Sequence, residues 1–239
     1  PAFFRRQRQM CIRDRENGAD KNPNFPFSEF EGNSLSYQEA NLLSNQLANK
    51  LVSEGLEVGD RFAFLAKNCT EMAIMYYAAS KVGAVPVPLN YRLADQEWAY
   101  IINDSEAKLI IVKGNEYSDR INQISSELKN VKKYISISLD NSIEKFQDFY
   151  DWLSDSSNEK PTLKIHENDD VYQMYTSGTT GHPKGAVLLQ RNVAANIRQY
   201  LNSLTLPRPS RTLLVAPMYH AAAMINICLL YTSDAADER

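Results

Sequence analysis

The chain has 239 residues, 44% of them hydrophobic, with 26 basic and 29 acidic side chains for a formal charge of −3. That length and apolar content suffice for a sizeable core, and the acidic balance without a basic stripe speaks against a nucleic-acid partner. No apolar run approaches the ~18 residues of a spanning helix, so no integral membrane segment is expected.

The two ends differ from the body. Residues 1–15, PAFFRRQRQMCIRDR, are basic and patternless, and residues 228–239, CLLYTSDAADER, turn abruptly from apolar to acidic. A nucleotide text for Arg5–Arg13 has a complementary strand that encodes LYTSDAAD, and it resembles a transposase adapter used in sequencing libraries. Both ends are expected to be adapter read-through, leaving 16–227 as the body, and are set aside as processing scars are. Without Arg5, Arg6, Arg8, Arg13, Arg15 and Arg239, and without Asp14, Asp234, Asp237 and Glu238, 20 basic and 25 acidic residues remain, a charge of −5. Of three cysteines only Cys69 is left. It has no internal disulfide partner, which points to a reducing cytoplasm. No signal peptide is visible.

Along the body, FSEFEGNSLSY reads as two short strands around Gly32 and Asn33. Ser36 starts a helix, with Glu39 as its capping-box partner; Ala40, Leu43, Leu47 and Leu51 keep helical spacing and Gly55 stops it. RFAFLAK reads as a buried strand, and Thr70–Val82 as a helix ended by Gly83. In AVPVPLN, Pro86 and Pro88 demote the strand to an edge or an irregular segment. Helix 94–104, strand KLIIVK, helix 117–129, strand KYISIS and an aromatic helix from Phe146 to Leu153 follow. DSSNEKP, 155–161, looks like a linker. VYQMYTS is a strand running into a glycine-rich stretch; GAVLLQ, helix 191–203 and strand RTLLVAP close the series. Strands alternating with helices predict an α/β fold with a largely parallel sheet.

The stretch TSGTTGHPKGAV, Thr176 to Val187, carries the chemistry. Gly178, Gly181 and Gly185 leave backbone N–H groups open to an anion, since no Cβ blocks the approach. Thr176, Ser177, Thr179 and Thr180 add hydroxyl donors, and Lys184 supplies one movable cation. Pro183 fixes the chain direction just before that lysine. The composition asks for a polyphosphate. The Walker A pattern nevertheless fails here: Pro183 stands where its second glycine belongs, Gly185 rather than Ser or Thr follows the lysine, and the next segment is a strand instead of a helix. His182 and His166 read as solvent-facing loop residues, and Phe146, Phe149, Tyr150 and Trp152 as packing.

YTSGTTGHPKG resembles the signature of the adenylate-forming, AMP-binding superfamily, which includes acyl- and aryl-CoA synthetases, luciferases and peptide-synthetase adenylation domains. LSYQEANLLSNQLANKLVSEGLEVGDRFAF, AASKVGAVPVPLNYRL and LLVAPMYHAAAM resemble three further segments of that family, in the right order. The resemblance implies an incomplete N-terminal large domain and a two-step reaction. A carboxylate attacks the α-phosphate of ATP to give acyl-AMP, and a thiol, usually of CoA, then displaces AMP. It implies that Thr176, Ser177, Gly178, Thr179, Thr180 and Gly181 wrap the ATP phosphates, that Lys184 meets the β- and γ-phosphates, and that His220 lies near the adenylation centre. Mg²⁺ is expected with ATP, held by a carboxylate downstream of this chain. So are the adenine and ribose contacts, the hinge and the C-terminal lysine. Amino-acid-activating members carry Asp where His220 stands; a histidine leaves an α-amine without an anionic partner. Ala221, Ala222 and Ala223 leave room for an apolar chain. The expected substrate is a fatty or other acyl acid. An amino-acid or aryl-acid domain loading a carrier protein and a non-enzymatic nucleotide-binding module are the competing readings. The chain alone is expected to be inactive.

Overall fold

Five parallel strands form the centre of the computed structural model, which describes residues 19–137, 143–176, 181–203 and 211–227. Ahead of them, β1 (Pro26–Phe30) and β2 (Asn33–Ser36) pair antiparallel. The turn falls on Glu31 and Gly32, with φ of 50° and 80°. Two successive positive φ values are the mark of a type I′ hairpin, so the turn lies one residue earlier than expected and Asn33 is already in β2.

Helix α1 (Tyr37–Ser53) begins as anticipated. The Ser36 hydroxyl accepts from the Glu39 N–H, and the Glu39 carboxylate accepts from the Ser36 N–H at 2.7 Å. The Ser36 hydroxyl also donates to the Glu39 carboxylate at 2.6 Å, and this bond, with that from the Ser36 N–H, holds the carboxyl below the usual carboxylate range. After β3 (Arg61–Leu65) comes α2 (Thr70–Val82), ended by Gly83 in the left-handed conformation at φ 72°. A Cβ there would stand 3.0 Å from side-chain carbons of both Val58 and Ile165, a tight approach that adds to the preference of this backbone conformation for glycine. Strand β4 (Val85–Leu89), helix α3 (Asp95–Asp104), β5 (Leu109–Lys113), helix α4 (Asn115–Ile124) with a 3₁₀ turn, and β6 (Lys133–Ile137) continue the alternation. The aromatic segment divides: Phe146–Asp148 is a short strand, β7, and only Phe149–Leu153 is helical, as α5. The Asp148 carboxylate accepts from the N–H groups of Tyr150 and Asp151, which starts the helix later than the periodicity suggests.

The sheet order is β4-β3-β5-β6-β7, all parallel. β4 is an edge, as its prolines require, yet all five of its residues are buried because β8 (Asp170–Thr176) packs alongside it. Phe62, Phe64, Leu109 and Ile111 face one core with α1, α2 and α5; Ala63, Leu65, Ile110 and Val112 face the other with α3 and α4. Alternate residues thus supply opposite layers, as the period of two dictates. At the carboxyl end of β5, Lys113 donates to both oxygens of Glu71 at 2.9 and 2.8 Å, and the Tyr150 hydroxyl donates to the same carboxylate.

The expected linker is not one. Residues 154–161 have no regular structure but lie along α1. Gln46 donates to the Leu153 carbonyl, Asn45 to that of Asn158, and Asn49 to those of Ser157 and Glu159, all within 3.0 Å. Lys50 pairs with Asp155 at 2.6 Å. The predicted strand at 211–217 is also absent. Residues 211–215 find no strand partner among the described residues, and Leu213 and Val215 are 86% and 80% exposed. Without a neighbouring ladder, β-propensity has nothing to satisfy the backbone. The adapter assignments at 1–15 and 228–239 lie outside the described residues.

Candidate active site

The glycine stretch joins β8 to β9 (Lys184–Leu189), and the two strands pair antiparallel from Asp170↔Leu189 to Thr176↔Lys184. Along β8, Tyr172 and Met174 turn into the core shared with α1 and α2, while Tyr175 leans on the core beneath α3. Ser177, Gly178, Thr179 and Thr180 lie outside the described residues. Thr176 and Lys184 are described, and they form the last cross-strand pair before the loop. The Thr176 hydroxyl stands 3.5 Å from the Lys184 carbonyl, at the limit of a hydrogen bond. Both residues are exposed, and among the described residues no carboxylate pairs with the lysine ammonium. The pair therefore presents a cation and a hydroxyl to solvent side by side, a donor set suited to an anion. Gly181 has φ 141° with open space around it, a conformation that other residues rarely adopt. His182 is exposed as expected, but its ring stacks on Tyr100 of α3 at 4.6 Å and 18°.

A polar chain that sequence reasoning missed lies under this pair. Arg61 pairs with Asp170 and donates to the Gln173 side-chain oxygen, both at 3.3 Å. The Gln173 amide donates to the Tyr175 hydroxyl at 3.0 Å, which donates in turn to Asp104 at 2.6 Å. Burial and the Asp104 carboxylate push the Tyr175 phenol well above its ordinary range. Gly185, directly across from Tyr175, has no room for a side chain: a Cβ would lie 2.4 Å from the Gln173 amide and 2.9 Å from the Tyr175 ring. No local pattern marks this chain, since Asp104 and Tyr175 are 71 residues apart.

His220 sits on a separate support. Asn68, just past the carboxyl end of β3, donates to the Ala216 carbonyl at 2.9 Å and accepts from the Met218 N–H at 2.8 Å. The Tyr76 hydroxyl donates to the Met218 carbonyl, and Tyr219 packs edge-on against Tyr91, just past the carboxyl end of β4. The segment thus lies over the carboxyl ends of two parallel strands, where open α/β sheets place their ligands. The carbonyl of His220 accepts from the N–H groups of Ala223 and Met224, opening a helix at 221–227, and its side chain is exposed. The three alanines do not share one environment: Ala222 is exposed, Ala221 partly buried, and Ala223 is core packing, so only the first two can border a substrate. His166 is exposed, its N–H donating to Asp169.

These features define a class: an α/β protein with a glycine-rich stretch between antiparallel strands and a second exposed segment over the sheet's carboxyl edge. The chain belongs to the AMP-binding enzyme family, whose model matches residues 16–236. It is 32% identical over 195 residues to the long-chain-fatty-acid–CoA ligase FadD13 of Mycobacterium tuberculosis, covering 81% of this chain and 37% of that protein. It is 31% identical over 198 residues to a feruloyl-CoA synthase from Amycolatopsis sp, covering 83% and 37%. The inhibitor-bound crystal structure of the N-terminal domain of FACL13 from Mycobacterium tuberculosis superposes with a TM-score of 0.82 at 28% identity, over 94% of this chain and 55% of that one. The chain therefore spans less than two fifths of the length of these curated relatives. Among the described residues no helix is long and apolar enough to cross a membrane.

Proposed function

We propose that this chain carries the phosphate-binding loop and one wall of the acid pocket of an AMP-forming acid–thiol ligase. The observation that carries the reading is the exposed Thr176–Lys184 pair closing the β8–β9 hairpin, in a chain of this family. In the first step a carboxylate oxygen of the acid attacks the α-phosphorus of ATP, and the bond to the bridging oxygen breaks. Pyrophosphate leaves with that electron pair. Lys184 neutralises charge on the β- and γ-phosphates, and the Thr176 hydroxyl donates to a phosphate oxygen. Ser177, Gly178, Thr179, Thr180 and Gly181 complete the cradle. Such transfers depend on positioning and electrostatics rather than on covalent help from the protein. In the second step the sulfur of CoA attacks the acyl carbon and AMP leaves.

His220 and the small Ala221 and Ala222 border the acid. Without an anionic group at 220 an α-ammonium has no partner, which favours a fatty or other acyl acid, consistent with the names of the relatives. Mg²⁺, when bound with ATP, adds charge neutralisation at the phosphates. Among the described residues no three His, Cys, Asp or Glu side chains converge on a metal position. The buried free thiol of Cys69 fits a reducing cytoplasm.

The test is acid-dependent ATP–pyrophosphate exchange in the complete protein carrying this chain, with and without Lys184→Ala. Exchange by the parent and its loss in the variant are expected. Exchange with unchanged ATP dependence in the variant overturns the assignment of that lysine. The 239-residue chain alone should neither exchange pyrophosphate nor form a thioester, because a triphosphate gripped at one end keeps its α-phosphorus unoriented.

A further inference from the structure

We infer that Asp104 and Tyr175 are positioning residues that set the stance of the Thr176–Lys184 pair, with Gly185 kept bare to admit the tyrosine ring. The inference rests on the phosphate-binding reading above and extends it to α3. Tyr175 immediately precedes Thr176, and Gly185 immediately follows Lys184. The two face each other across the ladder. Glycine weakens a strand relative to alanine, so its place here needs a reason. The Gln173 amide and the Tyr175 ring fill the volume its Cβ would occupy. An aromatic ring laid over a cross-strand glycine restores the packing that the glycine lacks.

The ring is held at its far end as well. A phenol has one proton to donate, and Tyr175 donates it to Asp104 at 2.6 Å while accepting from Gln173 at 3.0 Å. Its hydroxyl is therefore fixed from two directions. Successive side chains on a strand point to opposite faces. Pinning Tyr175 and Gly185 on one face thus fixes the direction in which Thr176 and Lys184 leave the other. The outgoing arm is held by the same helix: His182 stacks on Tyr100, which lies four residues before Asp104 and hence on the same side of α3. One helix face grips the strand entering the loop through Asp104 and the chain leaving it through Tyr100.

The experiment compares Tyr175→Phe, Asp104→Ala, Asp104→Asn and Lys184→Ala in the complete protein, reading KM for ATP, KM for the acid and melting temperature. Tyr175→Phe keeps the ring over Gly185 and removes only the clamped hydroxyl. We expect it and Asp104→Ala each to raise KM for ATP about tenfold, as losing a hydrogen bond to a charged group does. KM for the acid should stay unchanged, and the double variant should be no worse than either single one, because both remove one interaction. Asp104→Asn retains an acceptor and should recover most of the loss. An ATP KM within twofold of the parent in Tyr175→Phe, while Lys184→Ala raises it, overturns the positioning role and leaves the phosphate loop standing. Equal rises in both KM values, tracking a lowered melting temperature, also overturn it, since a merely structural contact would behave that way. An unchanged ATP KM in Lys184→Ala sinks the phosphate reading and this inference with it.

Discussion

The parallel sheet and the β8–β9 hairpin are stabilised in different ways. Phe62 to Leu65 of β3 are all fully buried between two helical layers, and such a strand is held by the area it removes from water on both faces. The hairpin buries Tyr172 and Met174 on one face, while Thr176, Lys184, Ala186 and Val187 remain exposed. Its orientation depends on a few directed contacts: Arg61 to Asp170 and Gln173, Tyr175 to Asp104, and His182 on Tyr100. A platform can rely on nonspecific burial; a segment that must present polar groups to a ligand cannot, and needs hydrogen bonds and ring contacts to fix it.

That contrast can be broken by substitutions that separate stability from chemistry. The largest effect is expected in the platform. Phe64→Ala leaves a cavity at a fully buried site and should destabilise by about 3–5 kcal/mol in urea unfolding; a loss below 1 kcal/mol would mean that the sheet is not the stabilising unit. Next comes the hairpin tip. Lys184→Ala should lower pyrophosphate exchange by about 10²–10³-fold with its melting temperature unaltered, because the ammonium is exposed and has no carboxylate partner among the described residues. Ser36→Ala removes the reciprocal cap of α1 and should cost about 1 kcal/mol without touching exchange.

The pH dependence of the platform sharpens the contrast further. Burial raises the Glu71 carboxyl, but the hydrogen bonds and charge of Lys113 outweigh it and hold the group below its ordinary value of 4.5. A depressed carboxylate stabilises the fold above that ordinary value, and the contribution is lost as pH falls through the lowered one. Acid unfolding of the parent should therefore extend below pH 4.5, and Lys113→Met should shift its midpoint upward. A midpoint unchanged by the variant would show that the pair contributes nothing. The smallest effect is expected at Cys69. Burial, assisted by the Glu71 carboxylate, pushes its thiol up to about 12, so Ellman's reagent at pH 8 should leave it unmodified until the chain unfolds.

Those contrasts also separate what was legible in the residue order from what was not. Elements with local determinants were legible: the Ser36–Glu39 cap, the stop at Gly83 and the edge character of a strand with Pro86 and Pro88 all depend on residues within a few positions of one another. The reading of the loop rests on local composition in the same way, since glycines, hydroxyls and a lysine propose an anion site without reference to the rest of the chain. Strand RTLLVAP misled because propensity describes a strand's fitness for pairing and says nothing about whether a partner is present. Ala223 misled because a small residue packs in a core as readily as it lines a pocket. The Asp104–Tyr175–Gln173 chain was out of reach, since it exists only once β8, α3 and the cross-strand register of Gly185 are known.

The segment at 154–161 carries a practical consequence. Its Asp, Ser, Asn and Pro composition is what one would choose when deciding where to divide a gene, insert a tag or expect a protease to cut. Yet three of its carbonyls, and that of Leu153 just before it, are held by the amides of Asn45, Gln46 and Asn49. A protease must bind its target in extended form, and here the backbone would first have to be peeled from α1. Dividing the chain within it would place the amides of α1 and the carbonyls beyond the cut on different pieces, each lacking part of one seam.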